Sequence, residues 1–260
     1  LPFGAFGIIV LPAAKEWGQV MRRFLPIVIA TVVLLFFVLP ARPQDSNSAA
    51  EQTPEALTAL YNQAMQAKEW SRAVSAAQQL VALKASSPDL KLLANAQLYS
   101  GLADEALATF DKALATAEGE KPAEGQPMNA WKDGLAQIYI GKGNALLKLK
   151  RTPEAIEQYY QAAGLASNPG QVYFNLCAVF YNNGNTHDSA AACRKCLLAD
   201  PTRANAWFVL GSDLFADAPI NNGKVVATAE TREALEKYLA LAPDGPHAAD
   251  VKAMLEMIVK

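Results

Sequence analysis

From about residue 53 onward, apolar positions recur at the period of an amphipathic helix, as in "ALTALYNQAMQAKEWSRAVSAAQQL" and "TPEAIEQYYQAAGLA". Almost no stretch alternates with the period of two that a half-buried strand requires, so the pattern predicts an all-α chain. The helical pattern is itself periodic. Tyr139, Tyr173 and Trp207 each stand 34 residues before the next, and four residues beyond each come Gly143, Cys177 and Gly211. Ala155, Tyr159 and Ala162 return at the same interval as Ser189, Cys193 and Cys196. Ala106, Phe110 and Ala113 carry the same small, large, small spacing, as do Ala234, Tyr238 and Leu241 with a large last member.

These columns resemble the tetratricopeptide repeat, whose pattern W-x2-L-G-x2-Y, A-x3-F and P has a period of 34 residues. The unit 170–203 carries it on Tyr173, Leu176, Cys177, Phe180, Ser189, Cys193 and Pro201, and the next unit opens on Trp207, Leu210 and Gly211. The resemblance covers roughly residues 53–248 and implies helix-turn-helix units stacked into a right-handed solenoid with a concave groove. Small residues let two antiparallel helices approach closely, and the large ones fill the space between them. The units implied are 53–86, 87–120, 136–169, 170–203 and 204–248, followed by a capping helix within 249–260 that opens after Pro246. Within that last helix, the Met and Leu positions are expected in the core.

Departures from the pattern carry their own expectations. Unit 53–86 is degenerate and reads as a terminal cap with a shortened first helix. Unit 87–120 has Leu90, Leu93, Ala94 and Gly101 but no aromatic to open it, and an excess of about 15 residues over the period precedes Tyr139. The unit from 204 holds a further excess of about 11, in which Asn222-Gly223 beside a β-branched run predicts a small β-hairpin projecting from the stack. Asp104, Thr152 and Thr231 read as helix starts.

Ahead of the repeats, Met21, Arg22 and Arg23 lead into the uncharged run "FLPIVIATVVLLFFVLP", a positive n-region followed by an apolar h-region. Residues 21–44 therefore read as a signal peptide or a membrane anchor, with Met21 as the start of translation and 1–20 as upstream read-through. The run is slightly short of the roughly 20 residues of a spanning helix, which favours a cleaved signal and a periplasmic or secreted protein of the exported bacterial type. An anchor would instead hold the chain on the inner membrane, facing the periplasm. No cysteine stands near the run, which excludes a lipoprotein anchor, and residues 45–52 read as a flexible linker.

Composition narrows the function classes. With 52% apolar and 18% charged residues the chain buries a sizeable core, and a net charge of −2 gives no reason to expect nucleic acid as partner. His187 and His247 both fall near turns and read as solvated residues; no phosphate loop, serine elbow or HExxH is present, so neither catalysis nor a cofactor is expected. By the repeat register all three cysteines point into the stack. They fit either ordinary packing, or a disulfide between Cys177 and Cys193, which the facing columns bring together in an oxidising compartment. A metal site lacks a fourth ligand aligned with them, and redox catalysis needs a more exposed thiol.

The resemblance also implies which side chains line the groove: positions one, five and eight beyond the opening residue of each first helix. These are Lys91, Asn95 and Leu98; Ile140, Asn144 and Leu147; Phe174, Ala178 and Tyr181; and Phe208, Ser212 and Phe215. An aromatic, amide-bearing groove with only Lys91 as cation suits an extended or helical segment of a protein partner better than a terminal carboxylate. The same aromatics also fit packing between neighbouring first helices. The expected function is a non-catalytic protein-interaction scaffold, with self-association open to it; a subunit of envelope assembly or trafficking machinery is the narrower alternative. An enzyme or substrate carrier framed by the repeats is the alternative of a different class.

Overall fold

The computed structural model describes residues 53–122, 124–125 and 127–259. The segments read above as read-through, signal or anchor, and linker lie outside the described residues. Ten helices form five hairpins: α1 (Pro54–Gln66) with α2 (Trp70–Leu83), α3 (Ser87–Tyr99) with α4 (Ala103–Gly119), α5 (Met128–Lys148) with α6 (Thr152–Leu165), α7 (Gly170–Asn182) with α8 (Thr186–Ala199), and α9 (Ala204–Ala216) with α10 (Ala229–Leu241). A last helix, α11 (Ala248–Met257), packs on α10. Each helix packs on its neighbours in sequence, α3 also meets α5 and α7 also meets α9, so successive first helices lie side by side in a helical-repeat solenoid.

Four of the hairpins turn by the same chemistry. Lys68, Gly101, Lys150 and Gly184 each have positive φ, between 59° and 88°, at the middle of a three-residue turn. The next N–H then reaches back to the first helix: Glu69 to the Ala64 carbonyl at 2.8 Å, Leu102 to Gln97 at 2.9 Å, Arg151 to Leu146 at 2.9 Å and Asn185 to Phe180 at 3.0 Å. This is the Schellman closure, which satisfies helix-end carbonyls and reverses the chain. Side chains of Thr53, Ser86, Asn185 and Thr228 cap the starts of α1, α3, α8 and α10. Thr152 opens α6 and Asp104 lies in the first turn of α4, whereas Thr231 is buried inside α10 and Thr228 supplies the cap there.

The repeat columns form the core. Ala73, Ala106, Ala155, Ser189 and Ala234 are all 0% exposed, and Phe110, Tyr159 and Tyr238 are the largest buried side chains beside them. A Cβ placed on Gly143 would lie 2.8 Å from the Tyr159 ring, so this column must stay small for α5 and α6 to approach. In the next unit the corresponding columns hold Cys177 and Cys193, which the structure joins as a disulfide with Cα atoms 5.0 Å apart; Cys196 is a buried free thiol.

Three expectations need correction, and the excess before Tyr139 finds its place. The first helix of the terminal unit is not shortened: α1 has 13 residues, as do α3, α7 and α9. Much of the excess before Tyr139 is helix, for α4 runs to 17 residues and α5 to 21. The hairpin forms, with Ile220 paired to Val225 and positive φ at Asn222 and Gly223, the requirement of a type I′ turn. It does not simply project, because Val225 is buried, accepts a hydrogen bond from the Val259 N–H at 2.9 Å and bridges Ile258. The hairpin thereby ties down the segment after α11. Finally, Leu241 is 44% exposed at the end of α10, and Met257 of α11 is exposed while Met254 and Leu255 are half-buried against the core.

Candidate functional site

A cleft of about 510 Å³ opens between first helices α3 and α5 and is lined by Leu98, Tyr99, Asn144, Leu147 and Lys148. Helical spacing puts Leu98 and Tyr99 at the end of α3 directly across from the last turn of α5. Tyr99 stacks on Trp70 of α2, ring centroids 5.4 Å apart and planes 20° apart, so an exposed aromatic is held in place by a neighbouring unit. Asn144 is fixed from behind: the Tyr159 hydroxyl of α6 donates to its Oδ1 at 2.6 Å. Burial pushes the Tyr159 hydroxyl well above the usual phenol range, which keeps it a donor. Lys148 is exposed and forms no ion pair among the described residues, whereas nearby Lys142 is bound to Asp111 at 2.7 Å.

Of the residues expected along the groove, Asn144, Leu98 and Leu147 meet in this cleft. Asn95 is half-buried one helical turn before Leu98 on α3. Lys91 lines a separate hollow of about 250 Å³ with Ser87, Glu120 and Trp131, where burial lowers its ammonium pKa; the Ser87 N–H there donates to the Glu120 carboxylate at 3.0 Å. Ile140, Phe208 and Ser212 are each only 8% exposed and belong to the packed interior, correcting their assignment to an open wall. Phe208 is covered by His247, whose ring stacks on it at 3.8 Å and 6°, and by Tyr181 edge-on at 6.4 Å. His247 is thus a packing residue rather than a solvated one, while His187 is 92% exposed in its side chain. Phe174 is half-buried under the Arg203 guanidinium at 4.8 Å, Ala178 and Phe215 are half-buried, and Tyr181 is 37% exposed. The C-terminal half of the expected groove is therefore largely filled by its own aromatics.

Two residues of the cleft escape the repeat register: Tyr99 and Lys148. Each stands one position beyond a groove residue, Leu98 and Leu147, at a helix end where the chain turns and exposes an extra position. No repeat column marks Asp213, the sole charge in "ANAWFVLGSDLFA"; it is 2% exposed, its Oδ2 has no hydrogen-bond partner among the described residues, and burial raises its pKa to about 6.

The tetratricopeptide repeat family model matches residues 136–169, the unit that carries Asn144 and Tyr159. No curated protein matches the sequence. Among solved structures, the chain is similar to PilW, described as a widely conserved type IV pilus biogenesis factor, at a TM-score of 0.62 and 13% identity over 91% of this chain and 96% of that one. It is also similar to MamA (residues 41 to the end) from Desulfovibrio magneticus RS-1, at a TM-score of 0.53 and 15% identity over 74% and 97% of the two chains. A third is YrrB, a protein of the same repeat with an unusual peptide-binding site, at 0.50 and 18% over 79% and 94%. These likenesses concern the fold. The chain therefore carries a tetratricopeptide repeat at 136–169, set in a solenoid of helical hairpins of the fold that these repeat proteins share.

Proposed function

We propose that this chain is a protein-interaction scaffold that seats an extended peptide segment in the cleft between α3 and α5. The observation that carries the reading is the lining of that cleft. Leu98 and Leu147 offer apolar contact, Tyr99 a rigid aromatic held by Trp70, Asn144 an amide fixed by Tyr159, and Lys148 a cation without a partner among the described residues. An extended chain presents alternating side chains and main-chain polar groups, and a surface of this kind meets both. The peptide-binding site named for YrrB supports the same use of the fold.

Selection of a displayed random 12-residue peptide library on the folded protein tests the reading. Peptides recovered on the wild type are expected to lose about tenfold in affinity with Tyr99→Ala, since an anchoring aromatic contributes on the order of 1–2 kcal/mol. They should also respond to Lys148→Glu. Tyr99 is 60% exposed, so the alanine variant should keep its helical circular dichroism and melting temperature within about 3 °C. Peptides that bind both variants as well as wild type would move the site elsewhere.

The narrower proposal is that the scaffold works in the cell envelope as part of an assembly apparatus. The charge-flanked apolar run at 21–40 and the likeness to the pilus factor PilW support it. Protein recovered from its native host is expected to begin beyond Pro40. A mature chain still carrying Phe24 to Pro40 would contradict cleavage and favour the anchor.

A further inference from the structure

Asparagine has two faces, a carbonyl that accepts and an amide that donates, and an unrestrained side chain can turn either toward a ligand. In the cleft that choice has been made. Oδ1 of Asn144 is taken by the Tyr159 hydroxyl at 2.6 Å, while Nδ2 donates to no protein group among the described residues. We infer that Tyr159 is the positioning residue of the peptide site, locking Asn144 so that it presents two N–H donors, and that the group it receives is a main-chain carbonyl of the seated segment. This inference rests on the peptide-binding reading above and adds its polarity.

The device belongs to one unit of the repeat. At the five-beyond position the successive first helices carry Asn62, Asn95, Asn144, Ala178 and Ser212, so three units have an amide there. In the column of Tyr159 the other units carry Ala77, Phe110, Cys193 and Tyr238. Asn62 therefore has Ala77, and Asn95 has Phe110, in the facing column of its own hairpin, neither with a hydroxyl to hold it. The hydroxyl of Tyr238 is used otherwise, accepting the His247 N–H at 3.0 Å. Only in the unit of α5 and α6 do a groove amide and a core hydroxyl coincide. The ring of Tyr159 is 1% exposed and packs against Gly143, the residue before Asn144, so the aromatic that closes the hairpin also reaches through to the groove.

Tyr159→Phe removes the hydroxyl and leaves the ring to pack. The readout is the Asn144 side-chain amide pair in ¹⁵N NMR, first in the free protein and then on titration with N,N-dimethylacetamide, which carries a carbonyl acceptor and no N–H donor. Wild type is expected to show a rigid amide pair whose resonances shift with the probe. Tyr159→Phe should lower the order of that pair and weaken probe binding about fivefold, the equivalent of one net hydrogen bond. Tyr238→Phe, in the same column but bonded elsewhere, should change neither. For Asn144→Asp, which keeps the acceptor for Tyr159 and deletes both donors, the reporters are the backbone N–H resonances of Leu98 and Leu147 in the cleft lining; they should shift with the probe in wild type and stay still in the variant, with the fold intact. An amide pair equally ordered in Tyr159→Phe, or a probe response that survives Asn144→Asp, would overturn the inference. Probe binding at Asn144 with no peptide selected by the wild type would instead overturn the peptide reading and leave the locking of Asn144 standing.

Discussion

Protein folded under oxidising conditions is expected to yield a single linkage, Cys177 to Cys193, on non-reducing peptide mapping, with Cys196 alkylated only after unfolding. The two cysteines replace a pair that elsewhere in the chain is Gly143 facing Tyr159, one residue from each helix of a hairpin, and their Cα atoms stand 5.0 Å apart, within the usual range for a bridge. The bond spans 16 residues of sequence. A loop of that size contributes roughly 3 kcal/mol by chain entropy, so reduction, or Cys177→Ser with Cys193→Ser, should lower the melting temperature by about 6–12 °C for a domain of this length. A disulfide between Cys193 and Cys196 would constrain almost nothing, since they lie on consecutive turns of α8. Exchange toward it is opposed by the state of Cys196, whose thiol is pushed up to about 11, chiefly by burial, so very little thiolate is present to attack. Three thiols that alkylate after unfolding would reduce the cysteines to packing. A linkage through Cys196 would show that the facing columns are misassigned.

The columns that place those cysteines were readable because repetition is a physical constraint as well as a pattern. Ala106, Ala155, Ser189 and Ala234 must be small where Phe110, Tyr159, Cys193 and Tyr238 follow them, and the structure buries every one of them completely or nearly so. The groove was less legible, and Phe208 shows why. Its place in the repeat register is generic, but what covers it is His247, from beyond the end of the last hairpin, a contact no periodicity announces. The same holds at the other end of the site. Tyr99 is an ordinary last residue of α3 until the Trp70 ring is found against it, and Asn144 is one more amide until the Tyr159 hydroxyl is found behind it. Helix-to-helix packing follows the local pattern, whereas the orientation of a polar side chain depends on which neighbour happens to reach it.

Asp213 is the residue from which the strongest pH dependence of stability is expected. It sits in α9 against α8, 2% exposed, with Oδ2 unpartnered. Burial raises its pKa to about 6, the Ser189 hydroxyl opposes that shift, and the charge of Asp217 adds to it. Below about pH 4 the carboxyl is neutral in both folded and unfolded chains, so it contributes no pH-dependent penalty. Between about pH 4 and 6 the unfolded chain releases the proton while the folded one keeps it, so folding is progressively disfavoured as pH rises. Above about pH 6 the cost is complete, on the order of 2–3 kcal/mol for a shift of roughly two units. Asp213→Asn keeps the shape and a polar group but cannot ionise. In oxidised protein, so that the neighbouring disulfide is held constant, the variant should therefore melt at a higher temperature than wild type at pH 8. The gap should close as pH falls, to near zero at pH 4. A difference that is the same at both pH values would mean that Asp213 does not titrate in this window and that its buried oxygen is satisfied in solution.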